Sequence, residues 1–140
     1  ERSGDLSPEQ RTEHVRDTLT STALALDSDF AVDLTSDGQT LPTNCAVRLI
    51  EAASEALRNS ARHAGEASRR LTGSIGGDHV EITISDDGVG FRMEEVHADR
   101  LGVRHSIIEP LRDLDGGSVR VTSSPGAGSE VHITWDREVS

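Results

Sequence analysis

The longest helical pattern in the chain runs from about Pro42 to Ala64. At about 100° per residue, Val47, Ile50, Ser54, Leu57 and Ala61 fall on one stripe, which Leu49, Ala53 and Ser60 widen. Glu51, Glu55, Asn59, Arg62 and His63 fall on the opposite arc. This is an amphipathic helix with one face for a sheet, and Gly65 is placed to stop it. Upstream, Ser7-Pro8-Glu9-Gln10 reads as a helix start: Ser7 as cap, Pro8 in the first turn, Gln10 closing a capping box. Val15, Leu19, Thr22 and Leu26 continue that helix to about residue 26, and residues 1–6 read as a tail.

Alternation replaces helical spacing in the stretches that read as strands. Phe30–Thr35 is short, and the faces of Val32 and Leu34 stay open. Ser36-Asp37-Gly38 is a turn. Residues 67–75 are a weak strand, Gly76-Gly77-Asp78 a hairpin turn. In His79–Asp86, Val80, Ile82 and Ile84 alternate cleanly with Glu81, Thr83 and Ser85. Residues 87–104 are polar and glycine-punctuated. Ile107, Ile108, Leu111 and Leu114 mark a third helix closed by Gly116-Gly117, and Ser118–Ser123 and Ser129–Trp135 are the last strands. The expected fold is α+β, a two-layer sandwich. A mixed, largely antiparallel sheet of about five strands is covered on one face by about three helices.

Composition narrows the partners. The 140 residues suit one domain and carry a formal net charge of −11, which disfavours nucleic acid and anionic membranes. Any polyanion site must then be built locally, from backbone N–H groups, a metal and a few arginines. Phe30, Phe91 and Trp135 are the whole aromatic set, too few for base-stacking recognition of single strands. The single cysteine, Cys45, rules out an intrachain disulfide and reads as a quiet buried thiol. No apolar run approaches ~18 residues and no signal-peptide core is visible. A cytoplasmic domain fits, including one excised from a longer, membrane-anchored protein.

Three stretches carry candidate chemistry. On the long helix Glu55, Asn59 and Arg62 are surface neighbours. A carboxylate to accept a proton, an amide oxygen for Mg²⁺ and a cation for phosphate suit a metal-bound polyphosphate. The plain alternative is a solvated helix face. Asp86-Asp87-Gly88-Val89-Gly90 closes the best strand; an aspartate fixed there can accept from an exocyclic amine, while the glycines admit a base. The alternative is an ordinary Asp-Gly turn. Arg100–Ile108 leads a glycine loop into a helix N-terminus, which offers N–H groups to phosphate or is a plain capped loop.

In this order and spacing, the stretches resemble the ATP-binding catalytic domain of two-component sensor histidine kinases, within the GHKL ATPases and kinases, over about residues 40–136. Glu55-x-x-x-Asn59-x-x-Arg62-His63-Ala64 looks like the family's N box, closest to that of nitrate-sensor-type kinases. Asp86-x-Gly88-x-Gly90 looks like its first glycine box. Gly102-Val-Arg104-His-Ser106-Ile-Ile resembles the second, and Gly126-x-Gly128-Ser129 the closing Gly-x-Gly-Thr.

The resemblance implies that Asn59 binds Mg²⁺ and Asp86 reads the adenine amine. Gly88, Gly90 and Gly102 would shape the pocket and a lid over 91–104. Arg62 and His63 would lie near the phosphates, and Ser129 would join the adenine-side hydrogen bonds. Glu55 would assist the attack of the reacting histidine. That histidine belongs to a separate dimerisation domain. His14, in Arg11-Thr-Glu-His-Val, does not look like it and reads as a surface residue, as do His79, His97, His105 and His132. The implied activity is transfer of the γ-phosphate of Mg·ATP to that histidine, with a response regulator downstream. An anti-sigma-factor-type serine kinase and a non-catalytic nucleotide-binding or interaction module are the alternatives. The short lid argues against the gyrase, heat-shock-chaperone and mismatch-repair branches. Two departures stand at the phosphate end: Arg104 replaces a glycine, and Pro110 falls early in the third helix.

Overall fold

The computed structural model describes residues 9–63, 68–87, 111, 114–123 and 128–137, without the side chains of residues 9, 62, 63 and 123. The elements are β1 (Glu9–Arg11), α1 (Thr12–Leu26), β2 (Ala31–Ser36), β3 (Thr40–Pro42), α2 (Thr43–His63), β4 (Arg69–Ile75), β5 (His79–Asp86), β6 (Gly117–Ser123) and β7 (Ser129–Asp136). A five-stranded sheet has the order β2-β4-β5-β7-β6. β2 pairs parallel with β4 and the other pairs are antiparallel. α1 lies over β2 and β4, and α2 over β5 and β7. This is the expected α+β sandwich with a mixed sheet. Two helices fall among the described residues; of the third expected one, Leu111 is helical and buried, and most of the remainder lies outside them.

Register organises the inward face into rows. Leu71, Ile84, Val131 and Val121 stand side by side across β4, β5, β7 and β6, with Val32 of β2 beside Leu71. The next row holds Gly73, Ile82, Ile133 and Val119, flanked by Leu34, and the third holds Ile75, Val80 and Trp135. The face of β2 left open by its sequence is thereby decided: Val32 and Leu34 point inward, Asp33 and Thr35 outward. The outward face carries polar residues, among them His132 paired with Glu81 at 2.8 Å.

Two local expectations need correction. Helix α1 starts at Thr12, and Gln10 belongs to β1, which pairs antiparallel with β3; Ser7 and Pro8 lie outside the described residues. Arg11 occupies the N-cap position with no side-chain cap hydrogen bond. Long-range strand pairing captured the backbone that a local capping signal had marked for a helix. On α2 the buried residues are Cys45, Ala46, Leu49, Ala52, Ala53, Ser54, Ala56, Leu57 and Ser60, whereas Val47 is 48% exposed. The true face keeps Leu49, Ala53, Ser54, Leu57 and Ser60 of the expected stripe but turns away from Val47, toward Cys45, Ala52 and Ala56. Alanines, which let a helix approach a sheet and a neighbouring helix closely, mark this face more than the large aliphatic residues do.

The pole of the sheet at the β4–β5 turn is tied by Asp37. Its Oδ1 accepts from the Gln39 N–H at 2.9 Å and, at 3.4 Å, from the buried Thr12 hydroxyl, while Oδ2 accepts from the Gly77 N–H at 3.1 Å. One carboxylate joins the β2–β3 turn, the start of α1 and the β4–β5 hairpin. The Gln39 N–H, helped by Gly77 and Thr12 against partial desolvation, holds its pKa below the ordinary value. A depressed folded pKa adds stability above the unfolded value and loses it as pH falls through the folded one. Asp37→Asn should therefore lower stability near neutral pH by about 1 kcal/mol, a size limited by solvent screening. The gap from wild type should close below about pH 4, as read by urea titration across pH. Cys45 is 1% exposed and its thiol is pushed up to about 12 by burial. It should resist alkylation at pH 8 in the folded domain and react on unfolding, which mass spectrometry will show.

Candidate functional site

The apolar rows of the sheet end in a polar one. Arg69, Asp86 and Ser129 stand opposite one another on β4, β5 and β7, on the same inward face, with Ser123 of β6 in register with Ser129. Asp86 is 6% exposed. A carboxylate at such a depth is costly unless hydrogen bonds replace its water. Two hydroxyls do this at Oδ2: Ser129 donates at 2.8 Å and Ser60 at 3.0 Å. The donors come from different layers, one from the neighbouring strand and one from the last turns of α2.

Backbone geometry fixes the same corner. Gly128, just before β7, has φ +80°, and a Cβ there would meet the Asp86 carbonyl oxygen at 2.1 Å. A side chain cannot stand at that position without moving the end of β5. On the other side the Asp87 N–H donates to the Ser68 carbonyl at 3.1 Å, and the exposed Arg70 reaches the Asp87 carboxylate.

The polar face of α2 begins next to this corner. Asn59 precedes Ser60, so it sits about 100° around the helix, and it is half-buried. Glu55 is one turn earlier and accepts from Arg58 Nη1 at 2.8 Å, an exposed i,i+3 pair. Asp86, Ser129 and Ser60 therefore share one corner, at the C-terminal ends of β5 and α2, with Asn59 next to Ser60 on the helix and Glu55 one turn further back. Arg62 and His63 are in the last turn of α2, with side chains outside the description. Gly88, Gly90, Gly102 and Arg104, with all of residues 91–104 where a lid was expected, lie outside the described residues.

Two residues of this corner escaped the sequence reading. Ser60 was placed with the apolar stripe, and its position was itself the signal, because a buried hydroxyl needs a partner. Arg69 is 7% exposed, with Nη1 on Asp27 Oδ2 at 2.5 Å and Nε facing the Ser60 carbonyl at 3.4 Å. An arginine at the head of a weak strand gave no hint of burial. His14 is exposed, as expected of a surface residue.

For a divalent metal, the described residues hold no group of three His, Cys, Asp or Glu side chains able to cage it. A single amide such as Asn59 fits Mg²⁺ instead, which keeps most of its shell as water and ligand phosphate oxygens. No helix among the described residues is long and apolar enough to cross a membrane.

Comparison with known proteins bears on the family and the fold. The family profile described as histidine kinase-, DNA gyrase B-, and HSP90-like ATPase matches residues 44–139. Among solved structures, the histidine kinase domain of the Erythrobacter litoralis EL346 blue-light activated histidine kinase aligns with TM-score 0.69 and 25% identity, over 87% of this chain and 60% of that one. The chain thus spans less than two thirds of that kinase domain. The mycobacterial sensor histidine kinase MprB aligns with TM-score 0.61 and 18% identity, over 94% of this chain and 97% of that one. The catalytic domain of histidine kinase ThkA gives 0.65 and 12%, over 91% and 93%; these two are likenesses of fold. No curated protein matches the chain. With the profile covering more than half of its length, the chain belongs to the family of histidine kinase-, DNA gyrase B- and HSP90-like ATPases, and its fold is that of histidine kinase catalytic domains.

Proposed function

We propose that this domain binds Mg·ATP and passes the γ-phosphate to a histidine on a separate dimerisation domain of a two-component sensor kinase, from which a response regulator takes it. The observation that carries the reading is the buried Asp86 carboxylate held by Ser60 and Ser129 at the sheet's polar end. A carboxylate so placed accepts a hydrogen bond from the adenine amine and faces the guanine carbonyl with like polarity. The two hydroxyls aim it, and Gly128 gives close backbone passage beside it. Asn59 would hold the Mg²⁺ through its amide oxygen, with Arg62, His63 and Arg104 toward the phosphates. Gly88, Gly90 and Gly102 would shape the pocket and its lid. The metal would neutralise phosphate charge and orient the terminal phosphoryl group. Glu55 would polarise the attacking histidine, releasing Arg58 when that residue arrives. A reaction that consumes ATP and hands its phosphate to a response regulator would run in the cytoplasm, and that is the location inferred with this reading.

The central test is nucleotide selectivity. Wild type should prefer ATP to GTP, and Asp86→Asn should lose about 1.5–3 kcal/mol of that preference, tenfold or more. Calorimetric titration of both nucleotides decides it, and equal wild-type affinities would refute the adenine assignment. Asn59→Ala should weaken Mg·ATP by roughly tenfold and leave adenosine nearly unchanged, since an amide–metal contact acts at the phosphate end. Equal losses for the two ligands would remove the metal role. Arg104→Gly should also lower ATP affinity with a shallower salt dependence; tighter binding would show Arg104 to be an obstruction.

A further inference from the structure

Two hydroxyls meet at one oxygen of Asp86, and they come from different layers. Ser129 is directly opposed to Asp86 in the β5–β7 register, so strand pairing by itself holds that hydroxyl beside the carboxylate. The Ser60 hydroxyl arrives from α2 and depends on where the helix end sits. We propose that Ser60 is a positioning residue that links the two ends of the nucleotide site: by tying the last turns of α2 to the end of β5, it sets where the Asn59 amide stands relative to the base-reading strand end. The inference rests on the functional reading above, in which Asn59 holds the Mg²⁺, and gives Ser60 a task beyond aiming Asp86.

Packing alone does not ask for a hydroxyl at this position. The buried face of α2 leads up to it through Ala52, Ala53, Ala56 and Leu57, and Ser60 is itself buried. A hydroxyl at that depth costs free energy unless it is hydrogen-bonded. Here it donates to Asp86 Oδ2 at 3.0 Å. The main chain of the same residue is held as well. Its carbonyl faces Arg69 Nε at 3.4 Å, and the Arg69 guanidinium is anchored in turn on Asp27. Arg69 and Asp86 are opposed on β4 and β5. One helical residue is thus fastened to two neighbouring strands, by its side chain to β5 and by its backbone to β4. Two attachment points resist rotation of the helix as well as sliding, which a single point does not.

Asn59 is the adjoining residue, so it moves with this fastening. It stands about 100° around the helix axis from Ser60 and about 1.5 Å along it. The alanines let α2 lie close to the sheet but interlock with it less than larger side chains do. Without the Ser60 hydroxyl the helix end would settle mainly on those apolar contacts. Asp86 would keep its bond from Ser129, whereas the Asn59 amide would lose its fixed place beside the strand end. Contacts at a reacting phosphate are sensitive to displacements of about 1 Å.

The test uses the purified domain and calorimetric titration with Mg·ATP, with ATP in EDTA and with adenosine. Ser60→Ala should weaken Mg·ATP by roughly tenfold, the scale of one hydrogen bond to a charged group, and adenosine by about threefold at most. Without metal, the loss for ATP should fall to that for adenosine. Ser60→Thr, which keeps the hydroxyl, should retain most of the Mg·ATP affinity. In an Asn59→Ala background, Ser60→Ala should cost Mg·ATP no more than it costs adenosine, because the contact it positions is already gone. Equal losses for Mg·ATP and adenosine in Ser60→Ala would reduce Ser60 to an aid for Asp86 and overturn the inference. So would a lower melting temperature with unchanged affinities, or additive losses in the double variant. If the alanine variant does not fold, Ser60→Cys, close in shape and a weak donor, carries the same comparison. Equal losses of Mg·ATP and adenosine in Asn59→Ala would overturn the metal reading itself; a domain that passes that test with an indifferent Ser60→Ala would overturn this inference alone.

Discussion

The burial of one carboxylate constrains the whole corner where the layers of this domain meet. Asp86 ends the central strand on the face covered by the helices, and an ion there must find hydrogen-bond partners in place of water. Ser129 supplies one from the adjacent strand and Ser60 another from α2. These contacts require that α2 reach the sheet's end at one rotation about its axis, and that β7 start beside the end of β5. The apolar rows behind Asp86 provide both conditions. Leu71, Ile84 and Val131 set strand register, and the alanine-rich arc of α2 seats the helix closely on them.

The two poles of the sheet show the same device with different outcomes. Asp37 gathers N–H groups and a hydroxyl from three segments and is spent on joining turns. Its partners are mostly backbone, in fixed turns, and it lies near solvent. Asp86 is held by side-chain hydroxyls at the rim of a glycine-punctuated stretch. Asp86 is aimed by rotatable hydroxyls at the edge of the core, whereas Asp37, tied by turn N–H groups, serves the fold. Arg69 gives the Asp86 end a further layer, because its buried charge has to be balanced and α1 supplies the balance through Asp27. The N-terminal helix is thereby part of the electrostatics of a corner whose motifs all lie later in the chain.

Much of this was legible in the residues. Alternation in His79–Asp86 marked the central strand, and the spacing Glu55, Asn59, Arg62 marked a polar helix face. The Asp-x-Gly-x-Gly pattern marked the strand end that carries the buried carboxylate. These signals are local: period, turn chemistry and short motifs act within a few residues and survive without tertiary context. The glycine-box residues Gly88, Gly90 and Gly102, with Arg104, remain sequence readings.

What the tertiary structure decided was long-range. Residues 9–11 became a strand because β3 offered an antiparallel edge, a partner some thirty positions away that no capping motif announces. The buried arc of α2 turned toward its alanines because it packs on both the sheet and α1, and the depth of that contact favours small side chains over Val47. Ser60, which sequence spacing assigned to the apolar stripe, became a hydrogen-bond donor once Asp86 was brought beneath it. Arg69 and Asp27, distant in the chain, met because β4 pairs parallel with β2 and returns under the end of α1. Sequence by itself determined which elements form and which residue types can do chemistry, since those follow from local periodicity and side-chain character. Which polar residues are buried together, and so must satisfy one another, was decided by strand register and helix rotation, which exist only when the layers are assembled.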